Sequence, residues 1–211
     1  MPARFLFAVV QAGAERALKN EVVRERPKLK FAFSRPGFVT FRIPDDAATA
    51  RRGPTLDCVF ARTWGYSLGK IVGHANDAQL ARDAWRLVAD GLQRASSEIR
   101  HVHVWHREQA LPGDEEYDSS RDELARAVGE VLLSQRAGIS KGAPPFVNAT
   151  AAAGDLVLDC VLVERHEWWL GWHRAASPET RWPGGVPPIP APARMISRAY
   201  LKIVEALEWS Q

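Results

Sequence analysis

Three imidazoles fall within six residues, in His101-Val102-His103-Val104-Trp105-His106. In a strand, His101, His103 and Trp105 share one face and Val102 and Val104 the other. Two such imidazoles could bind a metal ion, but no third acidic or thiol ligand is near in sequence. The stretch is therefore expected to be an exposed or RNA-facing strand surface. Glu164-Arg165-His166-Glu167 reads as a hairpin turn rather than a hydrolytic site, and no Ser-His-Asp or Cys-His arrangement rises above chance. Cys58 and Cys160 are far apart, each in an apolar stretch, which predicts buried free thiols in a reducing cytoplasm. A further candidate is Met195-Ile196-Ser197-Arg198-Ala199-Tyr200-Leu201-Lys202-Ile203-Val204-Glu205-Ala206-Leu207. Wound as a helix, it places Tyr200, Ile203, Val204 and Leu207 on one side. Arg198, Lys202 and Glu205 lie on the other, at spacings of four and three. Periodicity alone makes this an ordinary amphipathic helix with a surface ion pair.

Charge supplies a second kind of candidate. The net charge of +3 is small, but its distribution is uneven. Residues 1–52 hold eleven Lys/Arg against five Asp/Glu, and the rest of the chain has no basic excess. Lys19, Arg24, Arg26, Lys28, Lys30 and Arg35 crowd one short stretch, which suits a polyphosphate backbone. A solvated helix face and turn would carry the same charges. No apolar run approaches the roughly 18 residues of a membrane helix, so no membrane partner is expected. The N-terminus lacks the apolar stretch and cleavage site of a signal peptide. A cytoplasmic location is expected.

The elements that must position these groups follow from periodicity. Residues 4–10 read as a buried strand, and 13–26 as a helix with Ala14, Ala17, Leu18, Val22 and Val23 near one face. Residues 29–33 and 38–43 form a hairpin about the turn Ser34-Arg35-Pro36-Gly37. A short helix over 45–52 and a strand over 57–66 complete the order β-α-β-β-α-β. That is the ferredoxin-like pattern, a four-stranded antiparallel sheet with two helices on one face. A second unit follows: a helix over 77–92, a strand over 98–106, an acidic loop over 108–118, a helix from Ser119 or Ser120 to about 135, and hairpin strands over 155–163 and 167–173. Trp168, Trp169 and Trp172 in one strand cannot all point inward. Residues 177–192 carry six prolines and a Gly-Gly pair, which predicts an extended, irregular linker. Ser197 caps a final helix through Glu208.

The 195–207 segment resembles the helix of FtsJ-type (RrmJ-like) RNA ribose methyltransferases, whose pattern is Ser-Arg-x-x-x-Lys-Leu-x-Glu. The resemblance extends along the chain. The order strand, Gly, Glu, helix in Phe5–Val22, the pair Lys30-Phe31-Ala32-Phe33 and Gly37-Phe38-Val39-Thr40-Phe41, and Val59-Phe60-Ala61-Arg62-Thr63-Trp64 resemble the N-terminal region of the RlmM subgroup. Trp168–His173 and Arg181–Gly185 do not map onto that subgroup's catalysis. The resemblance implies an α+β chain: a ferredoxin-like domain over 1–68, a THUMP-like RNA-binding domain over 69–175, and a Pro-rich linker with the first helix of a methyltransferase domain over 176–211.

What it implies for function has two parts. The parent enzyme would transfer a methyl group from S-adenosylmethionine to a ribose 2′-oxygen of large-subunit ribosomal RNA. Lys202 matches the first lysine of the family's Lys-Asp-Lys-Glu tetrad and would orient the 2′-hydroxyl and ease its deprotonation. The chain itself would bind RNA through Lys19, Arg24, Arg26, Lys28, Lys30, Arg35 and Arg198, and would be inactive alone. The Gly-rich turn that holds S-adenosylmethionine in the family follows the lysine helix, and the sequence stops at Gln211. Pro183-Gly184-Gly185 precedes that helix with no apolar strand ahead of it, so it is not that turn. Two alternatives stay open. One is a stand-alone RNA-binding protein or partner subunit of a separate catalytic chain. The other is an interaction protein that docks through its Trp-rich hairpin.

Overall fold

The computed structural model describes residues 3–44, 55–73, 76–108, 119–136, 144–187, 189, 203–204 and 206–207. The first elements are β1 (Phe5–Val9), α1 (Glu15–Glu25), β2 (Lys30–Arg35), β3 (Phe38–Arg42) and β4 (Thr63–Val72). The helix α1 buries Leu18 and Val22 against Leu6, Ala8, Val39 and Phe41 of the strands. Its first turn is fixed by Glu15, whose carboxylate accepts from the Gly37 amide at 2.7 Å. One acidic side chain thus joins the helix start to the β2–β3 turn.

The second half contributes α2 (Asp77–Leu92), β5 (Ile99–His106), α3 (Ser119–Gln135), the short β6 (Phe146–Val147), β7 (Leu156–Glu164) and β8 (Glu167–Arg174). Asn76 caps α2 by accepting from the Gln79 amide at 3.0 Å. Leu80, Ala84, Trp85 and Val88 of α2 and Val128 and Leu132 of α3 pack on Val102, Val104, Leu158, Cys160, Trp168 and Leu170. The Trp85 indole donates to the Leu132 carbonyl at 2.7 Å, which locks the two helices together. Of the two cysteines, only Cys160 is fully buried; Cys58 is half-buried.

The eight strands among the described residues belong to one sheet, in the order β2-β3-β1-β4-β8-β7-β5-β6. This corrects the expectation of a self-contained four-stranded sheet in the first half. The strands β4-β1-β3-β2 do stand side by side and antiparallel. The predicted helix over 45–52 lies outside the described residues. The sheet does not stop at β4, because that strand lies later in the chain than predicted. Its beginning pairs with β1 from Thr63 to Tyr66, and its remainder pairs with β8 from Tyr66 to Val72. A register shift between Ser67 and Gly69, with Gly69 at φ 138°, bends the strand between the two duties. β5 pairs in parallel with β6 and β7, so the sheet is mixed.

The sheet face away from the three long helices is also packed. Phe7, Val9, Phe38 and Val161 form a cluster there with Trp105 and Trp169. The Phe7 ring lies directly on Gly171, where a Cβ would come within 2.3 Å of it. The chain after β5 reaches the β2–β3 turn. There the buried Arg107 donates to the Val163 carbonyl at 2.9 Å, to the Pro36 carbonyl at 3.2 Å and to Glu164 at 2.7 Å.

The Pro-rich segment is the second correction. Instead of an extended linker, residues 178–185 form α4 (Pro178–Arg181) and a 3₁₀ turn (Pro183–Gly185) folded back onto the protein. Arg181 and Ala151 exchange hydrogen bonds at 2.8 and 2.9 Å. Gly184 and Gly185 adopt φ of 63° and 73°, a region that favours glycine. Gly184 sits on the Trp105 ring, and a Cβ on Gly185 would lie 2.3 Å from the Arg62 carbonyl. Of the predicted final helix, residues 203–204 and 206–207 are helical and the others lie outside the described residues. Among the described residues, no helix is long and apolar enough to cross a membrane.

Candidate nucleic-acid interface

The hairpin β2–β3 and the start of β1 build an open groove of about 700 Å³. Lys28, Lys30, Arg42, Phe5, Phe31 and Pro44 are among its lining residues. Strand register explains the assembly. Phe5 pairs with Arg42 on one side, and Lys30 pairs with Arg42 on the other. Three neighbouring strands therefore present Phe5, Arg42 and Lys30 at one level of the sheet. The Lys30 ammonium donates to the Pro27 carbonyl at 3.0 Å, which orients its stem along the groove's edge. Phe31 occupies the outermost strand. Lys19, from α1, lies 4.9 Å from its ring centroid in a cation–π contact.

The six cations singled out in the sequence do not act as one patch. Lys28 and Lys30 line the groove, with Lys19 beside it on Phe31. The other three do not line the groove. Arg24 pairs with Glu25 at 2.8 Å. Arg26 donates to the Thr55 carbonyl at 3.2 Å and reaches Asp57 at 3.4 Å. Arg35, at the far end of β2, lies 3.5 Å from both Glu164 and Glu167. Arg198 and Lys202 lie outside the described residues. Sequence reading passed over Arg42 and Phe5. Regular pairing from the Pro36-Gly37 turn would set Lys30 opposite Ile43; the register shift between Phe31 and Phe33 moves it opposite Arg42, and no signal in the sequence announced that shift.

The histidine strand is not the exposed surface expected of it. His101 and His103 are buried, beneath residues of the 149–155 loop. His101 lies 3.1 Å from Asp155, and His103 Nε2 lies 3.0 Å from the Ala149 carbonyl. His173, on the same face, points Nδ1 at Asp159 (2.7 Å) and Nε2 at the Thr180 carbonyl (2.6 Å). Both ring nitrogens of His173 face acceptors, which favours the doubly protonated imidazolium. Burial by itself would lower its pKa, but the Asp159 charge, that group's hydrogen bond and the Thr180 carbonyl together raise it. His103 has the opposite fate. Burial holds it down to about 3, against the Ala149 bond, with His173 and His101 adding to the depression. These contacts pin the 178–185 segment and the 149–155 loop to the sheet. Among the described residues, no group of three or more His, Cys, Asp or Glu could hold a metal ion.

The tryptophan strand divides its rings between the two faces of the sheet. Trp168 is buried with the helices, and Trp172 stacks near Tyr66 at 4.7 Å. Trp169 takes the other face beside Phe38, with its indole donating to Ser67 Oγ at 2.8 Å.

No protein-family model matches the chain, and no curated protein matches it. Among solved structures, the chain is similar to a possible methylase from Clostridium difficile 630, at 10% identity and a TM-score of 0.48 over 80% of this chain and 40% of that one. It is also similar to TrmN from Thermus thermophilus, at 19% identity and a TM-score of 0.43 over 82% of this chain and 47% of that one. The chain thus spans less than half the length of either protein, and likenesses of this strength assign it to no family.

Proposed function

We propose that the chain is the RNA-binding N-terminal part of a ribose 2′-O-methyltransferase acting on large-subunit ribosomal RNA. The observation that carries RNA binding is the groove lined by Lys28, Lys30 and Arg42. Cations at this density, on one level of a rigid sheet, neutralise backbone phosphates without needing to read sequence. The methyltransferase assignment rests on the resemblance of residues 195–207, in which Lys202 would act on the 2′-hydroxyl. S-adenosylmethionine supplies the methyl group in that family. The one Gly-Gly pair of the described residues does not fit that cofactor. The Gly184-Gly185 turn is filled by Trp105 and the Arg62 carbonyl and leaves no cradle. In this reading the chain's own part is to hold RNA.

The test is a filter-binding titration of large-subunit RNA fragments at several salt concentrations. Each phosphate contact adds about 0.7 to 0.9 to the slope of log K against log salt. The triple variant Lys28→Glu, Lys30→Glu, Arg42→Glu should bind more weakly and with a flatter slope. Undiminished affinity in that variant removes the groove from the function.

A further inference from the structure

We infer that residues 149–152 are a flap that acid releases from β5, with His103 beneath them as its trigger. The backbone there runs between two anchors. At one end the Asn148 amide donates to the Val102 carbonyl at 3.0 Å, and the Asn148 side chain exchanges hydrogen bonds with the Val104 backbone at 2.7 and 2.9 Å. At the other end the Gly154 amide donates to the Ala175 carbonyl at 2.7 Å, and the Ala175 amide to the Asp155 carbonyl at 3.0 Å. Between the anchors three polar attachments hold the flap. The Ala149 carbonyl accepts from His103, Ala151 exchanges bonds with Arg181, and the Ala152 amide donates to the Asp155 carboxylate. The buried Ala151 methyl adds an apolar contact with Val157 and Ala175.

A second proton on His103 has no place under the closed flap. Nε2 already faces the Ala149 carbonyl, and Nδ1 is buried without a partner. Two more imidazoles lie close, with ring centroids 6.0 Å away for His101 and 6.3 Å for His173. Because His173 carries the imidazolium charge, a charge on His103 would be repelled as well as stripped of water. The nearby carboxylates have other partners. Asp159, opposite His103 on β7, is paired with His173, and Asp155 with His101. On the 178–185 segment, Glu179 accepts from Ser177 and Arg181 is bonded to Ala151. Phe146 and Val147 of β6 and residues 183–185 carry no titratable side chain. Opened to water, the His103 ring regains its ordinary pKa of about 6.5; beneath the flap, burial holds it down to about 3. Acid therefore favours the open flap by about tenfold per pH unit below that ordinary value. The strand beneath keeps both its neighbours, β6 and β7, so opening leaves the sheet paired.

The experiment is amide hydrogen exchange on the whole chain, read residue by residue by NMR and divided by the intrinsic rate at each pH. The Ala151 amide reports the flap, because its bond to the Arg181 carbonyl breaks on opening. Amides of β7 report the sheet. From pH 7 to pH 5, a range above ordinary carboxylate titration, Ala151 protection should fall about 25-fold. Low concentrations of urea separate a local opening from global unfolding, since only the latter exposes much new surface. At pH 5 urea should leave Ala151 exchange unchanged and accelerate exchange in β7. His103→Gln keeps a donor for Ala149 and cannot titrate here, so its Ala151 protection should be the same at pH 7 and pH 5; thermal unfolding checks that this variant is folded. Three results overturn the inference. One is constant Ala151 protection in the unaltered protein. Another is Ala151 exchange that accelerates with urea in step with β7. The third is an equal loss of protection in the folded variant, which would assign the trigger to another group. The first two need no variant, so a variant that fails to fold leaves the test standing.

Discussion

His103→Gln should change how stability depends on pH, and the size of the change follows from the burial of this one ring. The imidazole is held down to about 3 in the folded protein, chiefly by burial, whereas in an unfolded chain it titrates near 6.5. Between those values the unfolded state binds a proton that the folded state refuses. Stability therefore falls as pH falls through that window, approaching about 1.4 kcal/mol per pH unit, or about 2.3 kcal/mol from pH 6.5 to pH 4.5. His173 does not cancel this. Its folded pKa is raised, so its contribution is fully present below the unfolded value and is lost only as pH rises through the folded one. Glutamine keeps an N–H donor for the Ala149 carbonyl and cannot titrate here. Urea denaturation of both proteins at intervals from pH 7 to pH 4.5 gives the two stability curves. The variant's curve should be shallower by about 1.4 kcal/mol per unit. Parallel curves would refute the reasoning, because they would mean that His103 accepts its proton in the folded state as readily as in the unfolded one.

Arg107→Met should destabilise the fold by about 2–3 kcal/mol, since it strips the Val163 and Pro36 carbonyls of a buried donor; a chemical-denaturation midpoint measures it. Gly185→Ala should loosen the 178–185 segment at a cost of about 1–2 kcal/mol from its positive φ, plus the approach of the new methyl to the Arg62 carbonyl. Hydrogen exchange should speed up in that segment and leave the sheet unchanged. Trp85→Phe removes the indole donor to Leu132 and should cost about 1–2 kcal/mol, read as a lowered melting temperature.

The sequence by itself determined the elements. The aromatic and β-branched run of Phe38–Arg42 and the 3.6-residue pattern of Asp77–Leu92 are local properties, and the structure places a strand and a helix over those residues. The hairpin of β7 and β8 was equally legible, because its residues pair with near neighbours in the chain. Tertiary structure decided what those elements meet. Period-2 spacing puts His101 and His103 on one face of β5 but carries no information on what covers that face. The cover comes from residues some 45 to 80 positions away: Ala149, Asp155 and the segment ending at Gly185. Proline content predicts an irregular backbone, which is correct, but irregular is not unpacked, and two glycines let that backbone lie against Trp105 and Arg62. The single sheet has the same kind of origin. Whether β4 ends a sheet or continues it depends on pairing with β8, about a hundred residues onward, and no local preference encodes that distance. The groove combines the two levels. Local sequence supplied Lys28, Lys30 and Phe31, and only the pairing of three strands brought Phe5 and Arg42 to the same place.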